Sequence, residues 1–242
     1  DDVVDESSLR RGRATANAAF GNAASVLVGD FLYSRAFQVM VGVGKMRVLE
    51  LLSEATNRIA EGEVMQLMAL GRLDLTEDEY MSVIEAKTAK LFEASGALGA
   101  IAAGASATTE RALAEYARRL GVAFQIADDV LDYRGEANTL GKALGDDLAE
   151  GKLTLPIIVA LKRADAAGRQ LIRDAMSNPH GDDAAHFARV MAVLDGCGAL
   201  SASLDRAKVE AERAAAELST LPDGEAKRWM LELCFYSVGR NV

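Results

Sequence analysis

The sequence predicts an all-α protein. Apolar residues recur at helical spacing along most of the chain, with no convincing strand alternation. Only three of the 242 residues are proline, so little in the composition interrupts helices. Half of the residues are apolar, enough to bury one large core and too many for a disordered chain.

The elements follow in order. After a polar stretch at Ser7–Arg13, a long helical pattern rich in small side chains runs from about Ala14 to Val43, with Phe20, Phe31 and Phe37 along it. Gly42 and Gly44 bracket a break, and a second helix is predicted from about Met46 to Leu70, with Gly71 as its stop. Thr76 and Glu79 form a capping-box pattern that opens a helix to about Ala103. Gly104–Thr108 reads as a turn, followed by a helix from Thr109 to about Tyr133. The glycine-rich stretch Gly135–Gly151 breaks the periodicity and reads as a functional loop. Pro156 suits the first turn of the next helix. Shorter amphipathic helices are expected from Asp165 onward, with loops near Pro179 and Pro222. No linker or internal repeat divides the chain, so residues 1–242 are predicted to form a single domain.

Composition excludes several functions. A net charge of −9 argues against a nucleic-acid partner, which would need a basic stripe. No apolar run reaches the roughly 18 residues of a membrane span, so no stable membrane insertion is expected. Cys197 and Cys234, with only His180 and His186 beside them, make neither a disulfide framework nor a convincing zinc site. No secretory leader is recognisable, so the cytoplasm is the expected compartment. The sequence opens on Asp1-Asp2 without an initiator methionine, and we expect further residues to precede it.

Two segments share the pattern DDxxD: Asp1, Asp2, Asp5 and Asp128, Asp129, Asp132. On a helix this spacing gathers three carboxylates on one side, where like charges destabilise a bare helix. A hard divalent cation offsets that repulsion. Magnesium takes one or two carboxylates and completes its shell with water and phosphate oxygens. A single such motif is most often a solvated helix face. Here there are two, and the second lies within Ala-Phe-Gln-Ile-Ala-Asp-Asp-Val-Leu-Asp-Tyr, where apolar residues surround the acids. Arg10 and Arg11 follow the first motif, Lys87 and Thr88 lie mid-helix, and Lys142 and Lys152 frame the glycine-rich loop. Each cation alone is an ordinary surface charge. Together with the acids they describe a diphosphate site.

The segments DDVVDESSLRRG, GNAASVLVGDFLYSRAF, EGEVMQL, KTAKLFEAS, FQIADDVLDY and GKALGDDLAEGKLTLP, in that order, resemble the trans-prenyl diphosphate synthases, and within them the bacterial long-chain octaprenyl branch. The resemblance covers essentially the whole chain. It implies an isoprenoid-synthase helical bundle around a central cavity, usually a homodimer, with the family's N-terminal helices and their isopentenyl diphosphate residues missing here. It also implies that Asp1, Asp2 and Asp5 hold two Mg²⁺ on the allylic diphosphate, and that Asp128, backed by Asp129 and Asp132, holds a third. Mn²⁺ is a possible substitute. Arg10 would contact the allylic diphosphate and Arg11 the isopentenyl diphosphate. Lys87, Thr88, Gln125, Lys142 and Lys152 would complete the allylic pocket, Lys87 counting with the aspartates as catalytic.

The implied reaction is a metal-dependent head-to-tail condensation giving about C40 products for quinone side chains, with C45 or C50 next. Small residues in Ala14–Gly29 leave room for a long product or merely let helices pack closely, and Phe20, Phe31 and Phe37 are candidates for the tunnel floor. The alternatives are a shorter-chain farnesyl or geranylgeranyl synthase and the non-catalytic subunit of a heteromeric synthase. Such subunits usually lose one aspartate motif, and both are present here. A terpene cyclase is less expected with the second DDxxD intact, and a two-carboxylate glycosidase lacks its aromatic platform, since Trp229 is the sole tryptophan.

Overall fold

The computed structural model describes residues 2–5, 7–10, 12–134, 145–177 and 184–239. Among these the regular structure is helical apart from a small hairpin, in which β1 (Leu9–Arg10) pairs antiparallel with β2 (Arg13–Ala14). The predicted helix from Ala14 to Val43 is interrupted at Gly21, whose φ of +83° lies outside helical space. It therefore becomes α1 (Ala16–Phe20), capped by the Thr15 hydroxyl, and α2 (Asn22–Gly42). Helix α3 spans Met46–Ala69.

The capping box opens α4 (Glu77–Ile84). The Glu79 amide donates to Thr76 Oγ1 at 3.2 Å, and the Thr76 amide donates to Glu79 Oε2 at 2.8 Å. The helix then widens into a π turn at Glu85–Ala89 before continuing as α5 (Lys90–Ala102). Helix α6 covers Ala107–Arg134 and α7 is the short turn Asp146–Ala149. Pro156 lies in the first turn of α8 (Leu155–Arg163). Next come α9 (Ala166–Ser177), α10 (Ala184–Gly196), α11 (Ala199–Glu217), a 3₁₀ turn at Leu218–Thr220 and α12 (Glu225–Gly239). The expected loop at Pro222 lies between the last two elements. The expected loop near Pro179 and the stretch 135–144 lie outside the described residues.

One hydrophobic core cluster runs from Leu75 to Val238, and α6 is its pillar. From Leu120 onward this helix is buried almost all round, its apolar residues in the core and its acids Asp129 and Asp132 buried with them. Val122, Ile126 and Val130 are at most 1% exposed. Alanines 86, 89, 94, 97 and 100 let the π turn and α5 pack closely on one side, while Ala207, Ala211 and Ala214 of α11 do so on another. The buried Glu210 carboxylate pins α11, accepting from Arg206 at 2.5 Å, Arg213 at 2.9 Å and Arg119 of α6 at 3.2 Å. The Tyr116 hydroxyl donates to the Met230 carbonyl at 3.0 Å and ties α12 to α6.

Helix α2 is different. It is apolar in sequence, yet Met40 is its only buried residue. Phe20 is 78% exposed and Phe31 66% exposed. Neither is covered by the other described residues of this chain. Among the described residues α1 packs against α2 and holds the N-terminal turn through Asn17, while α2 packs against α3. No single helix among the described residues is long and apolar enough to cross a membrane.

Candidate active site

A cavity of about 570 Å³ opens where the N-terminal hairpin, α3, α4, the π turn, α6 and the α7–α8 segment meet. Of the residues predicted from sequence, Asp5, Arg10, Lys87, Thr88, Gln125, Asp128, Asp129 and Lys152 line it. Asp2 and Asp132 lie outside its lining. Asp1, Arg11 and Lys142 lie outside the described residues.

The first acidic motif is not helical where it is described. Residues 2–5 form a turn, so the helical spacing expected for those carboxylates does not apply. Backbone bonds hold the turn instead. The Ser7 amide donates to the Asp2 carbonyl at 3.0 Å, and Asn17 Nδ2 donates to the same oxygen at 3.2 Å. Asp2 pairs with Arg10, whose Nε donates to Oδ1 at 2.7 Å. Asp5 faces Lys152 Nζ at 3.7 Å, so residues far apart in the chain meet across the cavity mouth.

Lys152 also pairs with Glu150. Burial works against its charge, but Glu150, then Asp147 and Asp5, outweigh burial and hold its ammonium above the usual lysine value. Lys87 pairs with Glu63 of α3 at 2.9 Å. Its aim depends on the π turn, which adds one residue to the helical circuit and re-aims the side chains it carries. Two glycines clasp that turn. A Cβ at Gly62 would lie 2.6 Å from the Lys87 amide nitrogen, and one at Gly121 would lie 2.8 Å from Ala89 Cα. Only glycine permits backbones this close.

The three acids of the second motif have separate surroundings. Asp128 is half-buried in the cavity wall. Asp129, 4% exposed, accepts from the Tyr80 hydroxyl at 2.6 Å and from Gln125 Nε2 at 2.8 Å. Gln125 Oε1 in turn accepts from the Thr88 hydroxyl at 2.9 Å. Burial, then the Asp147 charge, push the Asp129 carboxyl well above the usual range, against the pull of its two donors. Burial, followed by Asp129, likewise raises the Tyr80 phenol. Asp132 accepts from the Asp147 amide at 3.1 Å, and its carbonyl accepts from the Gly145 amide at 2.9 Å. It thereby anchors the segment that brings more acid to the site.

That segment contains residues missed in sequence. Asp146, Asp147 and Glu150 line the cavity, and the acid pair ahead of Lys152 in GDDLAEGK was a readable signal. Tyr80 had none, because its partner lies 49 positions away.

Six carboxylates and three cations line the cavity. Among the described residues no three acidic, histidine or cysteine side chains gather closely enough to hold a metal by themselves. These hard oxygen donors suit a magnesium-like cation that takes one or two carboxylates and draws its other ligands from water and phosphate. The arrangement would suit a metal held jointly with an anion, with Arg10, Lys87 and Lys152 in the same cavity wall.

The family model described as Polyprenyl synthetase matches residues 1–194. The chain is 49% identical to octaprenyl diphosphate synthase of Escherichia coli strain K12 over 242 residues, which is all of this chain and 74% of that protein. Among solved structures, it resembles polyprenyl synthase from Caulobacter crescentus CB15, complexed with calcium and isoprenyl diphosphate. The TM-score is 0.95 at 44% identity, across 100% of this chain and 74% of that one. Decaprenyl diphosphate synthase from Rhodobacter capsulatus gives 0.91, also at 44% identity and with the same coverage.

Proposed function

Because the chain belongs to the polyprenyl synthetase family, we propose that it is a long-chain trans-polyprenyl diphosphate synthase. It extends an allylic diphosphate, such as farnesyl diphosphate, by successive head-to-tail addition of isopentenyl diphosphate. Its product is about C40, with C45 and C50 the next candidates. The carrying observation is that Asp5 of the first motif and Asp128 and Asp129 of the second line one cavity with Arg10, Lys87 and Lys152.

In this reading Asp1, Asp2, Asp5 and the Asp128 cluster hold Mg²⁺, up to three ions, together with the allylic diphosphate. When bound, the metal supplies positive charge to the leaving diphosphate. Arg10, Lys87 and Lys152 add their own charge where negative charge develops as the allylic C–O bond breaks, and Lys142 would join them. Thr88 and Gln125 orient the diphosphate end. Leu70, Leu75, Val83 and Phe124, also in the cavity wall, keep water from the electron-poor allylic carbon until the isopentenyl double bond attacks it. Arg11 binds the isopentenyl diphosphate. The departing diphosphate takes the proton lost in closing each cycle, so the aspartates serve as ligands and not as bases.

The exposed apolar surface of α2 supports a homodimer, since a bare helix of this composition needs a cover. The compartment we assign is the cytoplasm, with the chain forming a single domain. Product analysis by mass spectrometry tests the reading. The full-length protein would be incubated with farnesyl diphosphate, isopentenyl diphosphate and Mg²⁺, beside an EDTA control. A metal-dependent ladder ending at C40 to C50 is expected. A ladder stopping at C20 would keep the chemistry and overturn the chain length, and no elongation would favour a non-catalytic subunit.

A further inference from the structure

We propose that Tyr80 is a positioning residue for the diphosphate end of the cavity: its hydroxyl locks Asp129 and, through Gln125, fixes Thr88. The inference rests on the synthase reading of this cavity. Tyr80 lies in the first turn of α4, 4% exposed. The 2.6 Å bond from its hydroxyl to Asp129 Oδ2 ties α4 to the second motif on α6, and it closes a chain of donors with a single direction. Thr88 donates to Gln125, and Gln125 and Tyr80 both donate to Asp129. Three elements, α4, the π turn and α6, are thus joined through one carboxylate.

The chain divides the two adjacent acids of the motif. Each Asp129 oxygen accepts from a neutral donor, while Asp128, one residue away, stands in the wall of the cavity. Without the phenol, Asp129 Oδ2 would have to find another partner in a place almost closed to water, and the nearest are groups of the cavity itself. Asp129 would then turn toward the cavity, Gln125 would lose its fixed amide orientation, and Thr88 would lose its acceptor. Partners of this kind, one step behind the ligands, typically change metal affinity or activity by about 10- to 100-fold when removed.

Tyr80→Phe in the full-length protein removes only the hydroxyl and keeps the ring in the core. Tyr116→Phe is the matched control. It also deletes one buried phenol hydroxyl, bonded to the Met230 carbonyl at 3.0 Å, away from the cavity. The first readout is binding of Mg²⁺ with inorganic pyrophosphate by calorimetry, which needs no turnover. Tyr80→Phe is expected to weaken it about 10-fold, with Tyr116→Phe unchanged. The second is kinetic. The KM for the allylic diphosphate should rise by a similar factor, and more than kcat falls. The third is a cycle with Asp129→Asn. If Tyr80 acts through Asp129, the double variant loses no more than the worse single variant.

Additive losses in that cycle, or a Tyr80→Phe that matches Tyr116→Phe in pyrophosphate binding, would overturn the positioning role while leaving the synthase reading intact. A wild-type protein that binds no Mg²⁺–pyrophosphate and elongates nothing would overturn both.

Discussion

Replacing Gly62 with alanine tests whether the clasp on the π turn sets the aim of Lys87. The added Cβ would lie 2.6 Å from the Lys87 amide nitrogen, 2.9 Å from its Cα and 3.0 Å from the Ala86 carbonyl carbon. All three are backbone atoms, so no side chain can swing aside and the two helices must separate. Overpacking of this kind costs roughly 1–3 kcal/mol. Alanine returns about 1 kcal/mol of helix propensity over glycine. The net loss is therefore about 1 kcal/mol, or roughly 2–4 °C in Tm for a chain of this size. The effect on catalysis is larger, because a misplacement of about 1 Å can cost about 100-fold. Calorimetric melting and steady-state kcat/KM, measured on the same preparation, separate the two. A variant that keeps wild-type kcat/KM while melting a few degrees lower would refute the link between the clasp and Lys87.

Asp128→Asn should reduce kcat/KM by at least about 100-fold with an unchanged circular dichroism spectrum, as expected of a cavity-wall acid that carries none of the core. Glu210→Gln should destabilise the protein by about 2 kcal/mol at pH 7, read from urea unfolding. Burial raises the Glu210 carboxyl, but Arg206, Arg213 and Arg119 outweigh it and leave it lowered from 4.5. A depressed carboxyl stabilises the fold above its unfolded value, so the difference from wild type should shrink as the pH falls below 4.5. Phe31→Asp should shift the light-scattering mass from dimer to monomer, since Phe31 stands 66% exposed on α2 and contributes little to the core it would leave behind.

Much of the scaffold was legible because its signals are local. The Thr76–Glu79 box, Pro156, and the glycines after α2 and α3 act within a turn or two of their own positions. The second DDxxD was legible because it interrupts a helix otherwise destined for the core. The first is legible only as a run of acids, because the bonds that shape its turn come from Ser7 and Asn17, outside the motif. The π turn has no local signal, because Glu85–Ala89 is ordinary helix sequence and the glycines that let it be approached closely, Gly62 and Gly121, lie on other helices. Phe20, Phe31 and Phe37 are floor candidates only by their place after the first motif, and periodicity cannot say what the faces of α1 and α2 that carry them meet. Asp147 is placed by its amide's bond to Asp132, fifteen positions earlier.

The placement of the second motif on α6 bears on how the protein comes apart. Amides deep in a core pillar exchange with solvent only when the whole core opens, whereas turns held by a few surface bonds open locally at much lower cost. Asp128–Asp132 belong to the first kind, and the turn at residues 2–5, stapled by Ser7, Asn17 and the exposed Arg10, to the second. The carboxylates of the second motif are therefore expected to stay protected until the core itself opens, which amide hydrogen exchange at Asp128–Asp132 would read.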